Sequence, residues 1–182
     1  MNHASAFSPD YIAARARFRS GALALGWGLE EHPIGAKGAE GEDLTIELAY
    51  VGDLAPKRLV VLSSGLHGVE GFFGSAVQAY LMEEQLGGWR PPKGSALLMI
   101  HALNPYGFSW IRRVNEDNAD LNRNFLLPGE AFQGSPEDYS VLDPLFTPER
   151  PPSPVSTFKA RAAFAILKYG MKALKNTLPV GQ

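Results

Sequence analysis

His67 and Glu70 stand three residues apart in the run Ser63-Ser64-Gly65-Leu66-His67-Gly68-Val69-Glu70-Gly71, and Asp120-Leu121-Asn122-Arg123-Asn124-Phe125 follows later in the chain. A histidine in a strand-end loop and a glutamate opening the next helix can supply two of the three protein ligands of a catalytic zinc, leaving one position for water. Water on such a metal falls in pKa to about 7 and gives hydroxide at neutral pH. Gly65, Gly68 and Gly71 would let the backbone turn closely around the ion. The plain alternative is a capping pair, because an acid near a helix N-terminus is favourable with no metal at all. An HxxE pair alone is weak evidence.

The second segment, with Arg112 and Arg113 upstream, is densely polar yet nearly balanced in charge. One guanidinium fork can hold a carboxylate through paired hydrogen bonds. Another can stabilise the oxyanion that forms when hydroxide attacks a carbonyl. Asp120 would orient an arginine or cap a turn, and Leu121 and Phe125 are expected as core anchors. The bland reading is a solvated loop rich in turn-forming Asn and Asp.

Other features narrow the chemistry. The chain has no cysteine, so disulfides and thiolate-held metals are excluded and a metal would rest on imidazole and carboxylate. Of the remaining histidines, His3 and His32 have no supporting partners, whereas His101 ends an apolar run. His101 reads either as a substitute third ligand or as a hydrogen-bonded histidine lining the site. Ser63-Ser64-Gly65 lacks the nucleophile-elbow pattern, and the spaced glycines lack the Lys-Ser/Thr ending of a phosphate loop. A net charge of −2 offers no long-range attraction for nucleic acid or an anionic membrane. The first residues have neither a basic start nor a long apolar stretch, which makes cytoplasm the default location. Lys168, Lys172 and Lys175 read as a solvated helix face.

The elements that must position these residues follow from periodicity. Ser8-Pro9-Asp10 starts a helix, with the Ser8 hydroxyl as its cap, in which Tyr11, Ala14, Phe18, Ala22 and Leu25 recur at helical spacing and Gly26 is the stop. Residues 35–41 read as a glycine-rich loop. Residues 44–51 form a strand with Leu44, Ile46, Leu48 and Tyr50 on one face, and residues 58–63 and 95–101 form buried strands. Between the latter two, residues 69–86 form a helix with Phe73, Ala76, Val77, Tyr80 and Leu81 as its apolar set. Strand, helix, strand implies parallel pairing, so the His67 loop and the segment from Asn104 onward would leave the same end of the sheet. A short helix around residues 138–145 and a final helix from Ser153-Pro154, with Phe164, Leu167, Met171, Leu174 and Leu178 at helical spacing, complete the chain. The fold class is α/β, a three-layer α/β/α domain with a mixed, mainly parallel sheet, and residues 1–182 are expected as one domain.

Gly65-Leu66-His67-Gly68-Val69-Glu70, Asn104-Pro105-Tyr106-Gly107-Phe108, Arg113 and Asp120-Leu121-Asn122-Arg123-Asn124-Phe125 resemble, in that order, the zinc metallocarboxypeptidases of the carboxypeptidase A type. More closely, the chain is similar to a bacterial family of uncharacterised proteins related to those peptidases. The resemblance implies zinc held by His67 and Glu70, Arg113 polarising the scissile carbonyl with Arg112 as the alternative, and Asn122 and Arg123 binding a terminal carboxylate. Tyr106 stands where those enzymes usually carry Asp. The resemblance also implies a third histidine ligand and a glutamate general base far downstream. No histidine follows His101, and the last glutamate is Glu149. The chain therefore reads as the N-terminal portion of such a catalytic domain, truncated on its C-terminal side and weak or inactive by itself. Its substrate would be a small peptide. The rival readings are an aspartoacylase-like deacylase acting on an N-acyl amino acid, and a non-catalytic fold.

Overall fold

The structure, a computed structural model, describes residues 3–131, 134, 139–146 and 156–177. The described residues fall into two compact units, one within Met1–Glu116 and the other within Asp117–Gln182.

The first unit is built on a four-stranded sheet of β1 (Gly28–Lys37), β2 (Asp43–Gly52), β3 (Arg58–Ser63) and β4 (Ser95–His101), in the order β1-β2-β4-β3. It is a mixed α/β sheet, as expected. Its parallel part is the single pair β3–β4, where a mainly parallel sheet was expected; β1–β2 and β2–β4 run antiparallel. β2 runs antiparallel to both of its neighbours, and one of these, β1, is concealed in the sequence. Glu30, Glu31, His32 and Pro33 break any apolar alternation, yet an edge strand tolerates charge and proline because one side of its backbone faces solvent. A register shift between Pro33 and Lys37 then bends β1 into the glycine-rich turn.

Helix α1 (Tyr11–Ala24) buries Tyr11, Ala14, Phe18 and Ala22, as its spacing predicts. Its cap is Asp10 rather than Ser8: the Asp10 carboxylate accepts the Ala13 N–H at 2.7 Å, satisfying one of the free donors of the first turn. Phe18 and Ala22 pack with Trp27, Ala49, Val51, Met82, Leu97 and Met99. The face of β2 beneath α1 is therefore Thr45, Glu47, Ala49 and Val51, while Ile46, Leu48 and Tyr50 are only half-buried. Of the expected face Leu44 alone is fully buried, while α1 brings Arg15 and Arg19 over the other face. Arg19 reaches the buried Glu47 at 3.2 Å, and the Thr45 hydroxyl donates to it at 2.6 Å. A charge-assisted network thus lets a carboxylate occupy a core position.

Between β3 and β4 the chain makes a 3-10 turn, Gly68–Glu70, and then α2 (Gly71–Tyr80), extended by a wider turn to Gln85. The inward residues of α2 are Ser75, Ala76, Gln78 and Ala79, whereas Phe73 is 67% exposed and Val77 also faces outward. The predicted face was wrong for these two. The helix is held by polar clips instead: Gln78 Nε2 donates to the carbonyls of Leu62 and Ile100, both at 3.0 Å.

In the second unit, α4 (Tyr139–Phe146) packs on α5 (Phe158–Thr177) through Leu142, Leu145 and Ala165. One further short helix, α3 (Pro105–Trp110), belongs to the first unit. Helix α5 begins at Phe158; the expected start at Ser153-Pro154 lies outside the described residues, as do the side chains of Leu174 and Leu178. Phe164, Leu167 and Met171 are exposed, and the packed face carries Ala162, Ala165 and Ile166. No helix of the described residues is long and apolar enough to cross a membrane.

Candidate metal-ligand and anion-binding residues

Because β3 and β4 are parallel neighbours, the loops that leave their carboxyl ends lie side by side and are stitched together. Ser64 N–H donates to Ile100 O, Leu103 N–H to Ser64 O and Asn104 N–H to Gly65 O, at 2.9–3.0 Å. The chain beyond each strand is thereby fixed before either reaches a functional side chain. Val69 N–H donates to Arg112 O at 3.2 Å, so the His67–Glu70 turn rests directly on the arginine loop. Gly68 makes that approach feasible. A Cβ there would lie 1.8 Å from the carbonyl carbon of Gly107, a distance no side chain tolerates.

At this junction His67 Nδ1 and Glu70 Oε1 are 3.2 Å apart, with His67 largely enclosed and Glu70 exposed. Neither side chain makes a helix-capping hydrogen bond. The capping-pair alternative therefore does not describe this carboxylate, which turns toward the imidazole and not toward the free N–H groups of α2.

Asn104 organises the second loop. Its Oδ1 accepts the Gly107 N–H at 2.7 Å, capping α3, and its Nδ2 donates to Arg113 O at 3.3 Å. The two arginines separate by environment. Arg112 lies over the rings of Tyr106 and Trp110, 5.9 and 5.7 Å from their centroids, and those two rings stack on each other. Arg113 has an exposed side chain. Tyr106, the departure from the usual Asp, thus has a local task in holding Arg112.

His101 is fully buried. Its Nε2 meets the Ser75 hydroxyl at 3.0 Å, its Nδ1 has no hydrogen-bond partner, and its ring stacks on Phe18 at 5.0 Å. Burial pushes its pKa down from 6.5 to about 4. It is a neutral core histidine that fastens α2 to β4. Ser75 and Gln78, which support the loops, carried no sequence signal beyond being polar residues in apolar surroundings, whereas Asn104 stood in the Asn104–Phe108 motif with no role assigned to it.

In the second unit, Asp120 caps the 3-10 turn Leu121–Arg123 by accepting the Asn122 N–H at 2.9 Å, one of the two tasks expected of it. Asn118 Nδ2 donates to the Tyr139 hydroxyl and to Asp143 Oδ1, both at 2.6 Å, which ties this turn to α4. Burial and the neighbouring Asp143 raise the Tyr139 pKa. Asn122 and Arg123 are exposed on the capped turn. Phe125 is exposed as well, so it is not the core anchor its type suggested.

The His67–Glu70 geometry fits a metal in one respect. Two donors on a tetrahedral zinc, each about 2.1 Å from the ion, stand about 3.4 Å apart. The observed 3.2 Å suits adjacent ligands as well as a hydrogen bond. Among the described residues no group of three or more His, Asp or Glu could hold a metal ion. His101 accordingly does not join the pair.

The chain belongs to the family described as "Protein of unknown function (DUF2817)", which it matches over residues 7–182. A comparison with curated proteins found no match. Among solved structures it is similar to thrombin activatable fibrinolysis inhibitor (TAFI), at 18% identity and a TM-score of 0.42, covering 88% of this chain and 44% of that one. It is also similar to the carboxypeptidase A of Helicoverpa armigera, at 18% identity and 0.44, covering 69% and 36%. For the glutaminyl cyclase of Macrostomum lignano the values are 15% and 0.37, covering 52% and 32%. The chain spans less than half the length of each of these proteins.

Proposed function

We propose that this chain carries part of the site of a zinc-dependent hydrolase that cleaves an amide or peptide bond next to a free carboxylate. The observation that carries the reading is the His67 Nδ1 and Glu70 Oε1 pair, 3.2 Å apart at the carboxyl end of a parallel strand and seated on the arginine loop. His67 and Glu70 would hold the metal, which when bound supplies Lewis acidity toward a water and a carbonyl oxygen. Arg113 would donate to the developing oxyanion. Asn104 fixes its backbone. To Asn122 and Arg123 we assign recognition of the substrate carboxylate, on the match of their motif, and Asp120 presets the turn that presents them.

The pair supplies two ligands, so turnover by these 182 residues alone is expected to be weak. A panel of short peptides set against N-acyl amino acids, with zinc present, tests the reading. Peptide turnover that Arg113→Ala reduces far more than Arg112→Ala supports it. Preference for N-acyl amino acids would favour deacylation, and an extended chain with no activity on either class would reject a hydrolase.

A further inference from the structure

The last residues of α3 are held by the turn that links β1 to β2. The Ser109 hydroxyl donates to Glu42 Oε1 at 2.5 Å and accepts the Ala39 N–H at 3.0 Å. Trp110 Nε1 donates to Lys37 O at 3.1 Å. The turn is shaped for this contact. Glu42 Oε2 accepts the Glu40 N–H at 3.0 Å, and Gly38 N–H donates to Glu42 O at 2.9 Å. A Cβ on Gly38 would lie 1.8 Å from Glu42 Oε1, so glycine there leaves the carboxylate free to fold back over the turn and meet Ser109.

Immediately after this anchor the chain reverses. Ile111 takes a left-handed conformation, φ 55° and ψ 50°, which is unfavourable for a β-branched side chain. Such backbone persists only where its surroundings hold it. The reversal brings Arg112 N–H to Gly107 O at 2.7 Å and lets Arg112 O accept the Val69 N–H at 3.2 Å. Gly107 leaves room for it, since a Cβ there would lie 2.7 Å from Arg112 O.

We propose that Ser109 is a positioning residue for the His67–Glu70 pair. Anchored on Glu42 and Ala39, it holds the strained reversal at Ile111 and so presents Arg112 O to the turn that carries both candidate ligands, with Arg113 next in the chain. Trp110 supplies the second anchor. The effect runs through the backbone of residues 111 and 112, not through contact with a metal or a substrate. This role rests on the reading of the pair as metal ligands, whereas the clamp on α3 does not.

Amide exchange of the full chain, with a zinc titration followed at the histidine ring nitrogens, tests this in two variants. Ser109→Ala removes the hydroxyl, and Trp110→Phe removes the indole donor while keeping a ring beside Tyr106. Each should speed exchange of the Val69 amide about tenfold, the scale of one lost hydrogen bond to a charged group. The Leu103 amide, bonded to Ser64 O, should be unchanged. The His67 response should need about tenfold more zinc. Ile111→Asn, which suits the left-handed conformation, should restore both in the Ser109→Ala background, a rescue that general loosening would not show. Unchanged Val69 exchange in both variants would overturn the proposal, as would an unchanged zinc response, a parallel loss of Leu103 protection, or no rescue by Ile111→Asn. A wild-type His67 that ignores zinc would instead overturn the metal reading and this role with it, while Val69 exchange would still report the clamp.

Discussion

His101 provides a quantitative test of the packing that underlies the site loops. Its ring is fully buried against Phe18, and burial holds its pKa down from 6.5 to about 4. A histidine with a depressed folded-state pKa takes up its proton more readily in the unfolded chain. Stability is therefore intact above pH 6.5, falls as the pH drops through the window from 6.5 to 4, and levels below it. Between pH 7 and pH 5 the linkage amounts to about 2 kcal/mol, at about 1.4 kcal/mol per unit of pKa difference. The perturbation is His101→Gln, which keeps an amide to meet the Ser75 hydroxyl and does not titrate. Urea unfolding of both proteins at the two pH values isolates the effect, because the other titrating groups are common to both. The wild type should lose about 2 kcal/mol more than the variant on acidification. Parallel pH dependences in the two proteins would show that His101 is not a neutral core residue and would refute the reasoning.

Three further outcomes follow from the same packing. Gly68→Ala should cost about 3 kcal/mol or more in thermal unfolding because its Cβ would collide with the Gly107 backbone, whereas Gly87→Ala, with nothing near its Cβ, should be close to neutral. Gln78→Leu removes the donor shared by Leu62 O and Ile100 O and should cost about 1–2 kcal/mol, read as a lowered urea midpoint. Asp10→Ala removes the α1 cap and should cost about 1 kcal/mol, with circular dichroism showing the loss without a change of fold.

What the sequence reveals depends on how local the signal is. The strand, helix, strand order around His67 was legible because apolar runs and glycine punctuation are local, and β3–β4 does pair in parallel, although Leu59, Val60 and Val61 of β3 are exposed where a buried strand was expected. The edge strand β1 was not legible, since an edge position relaxes the alternation that marks a strand. Helix faces were misread where large apolar residues were assumed to point inward. Phe73 and Val77 on α2 and Phe164 and Leu167 on α5 are exposed, while the packed faces use Ser75, Gln78 and Ala165. Periodicity fixes a stripe but not which neighbour covers it. The packing of Arg112 over the rings of Tyr106 and Trp110 needed the structure to be seen, as did the finding that His101 turns to Ser75.

The central claim is that His67 and Glu70 act together on a metal. A zinc titration of the full chain, followed at the histidine ring nitrogens by NMR, tests it most directly. His32, exposed on β1 with Glu30 at 3.5 Å, serves as an internal control for adventitious binding. The account predicts that His67 Nδ1 responds first and that Glu70→Ala weakens this response about tenfold or more, about 1.4 kcal/mol, with His32 unchanged. A His67 ring that ignores zinc, or that responds no earlier than His32 and equally in Glu70→Ala, would contradict it.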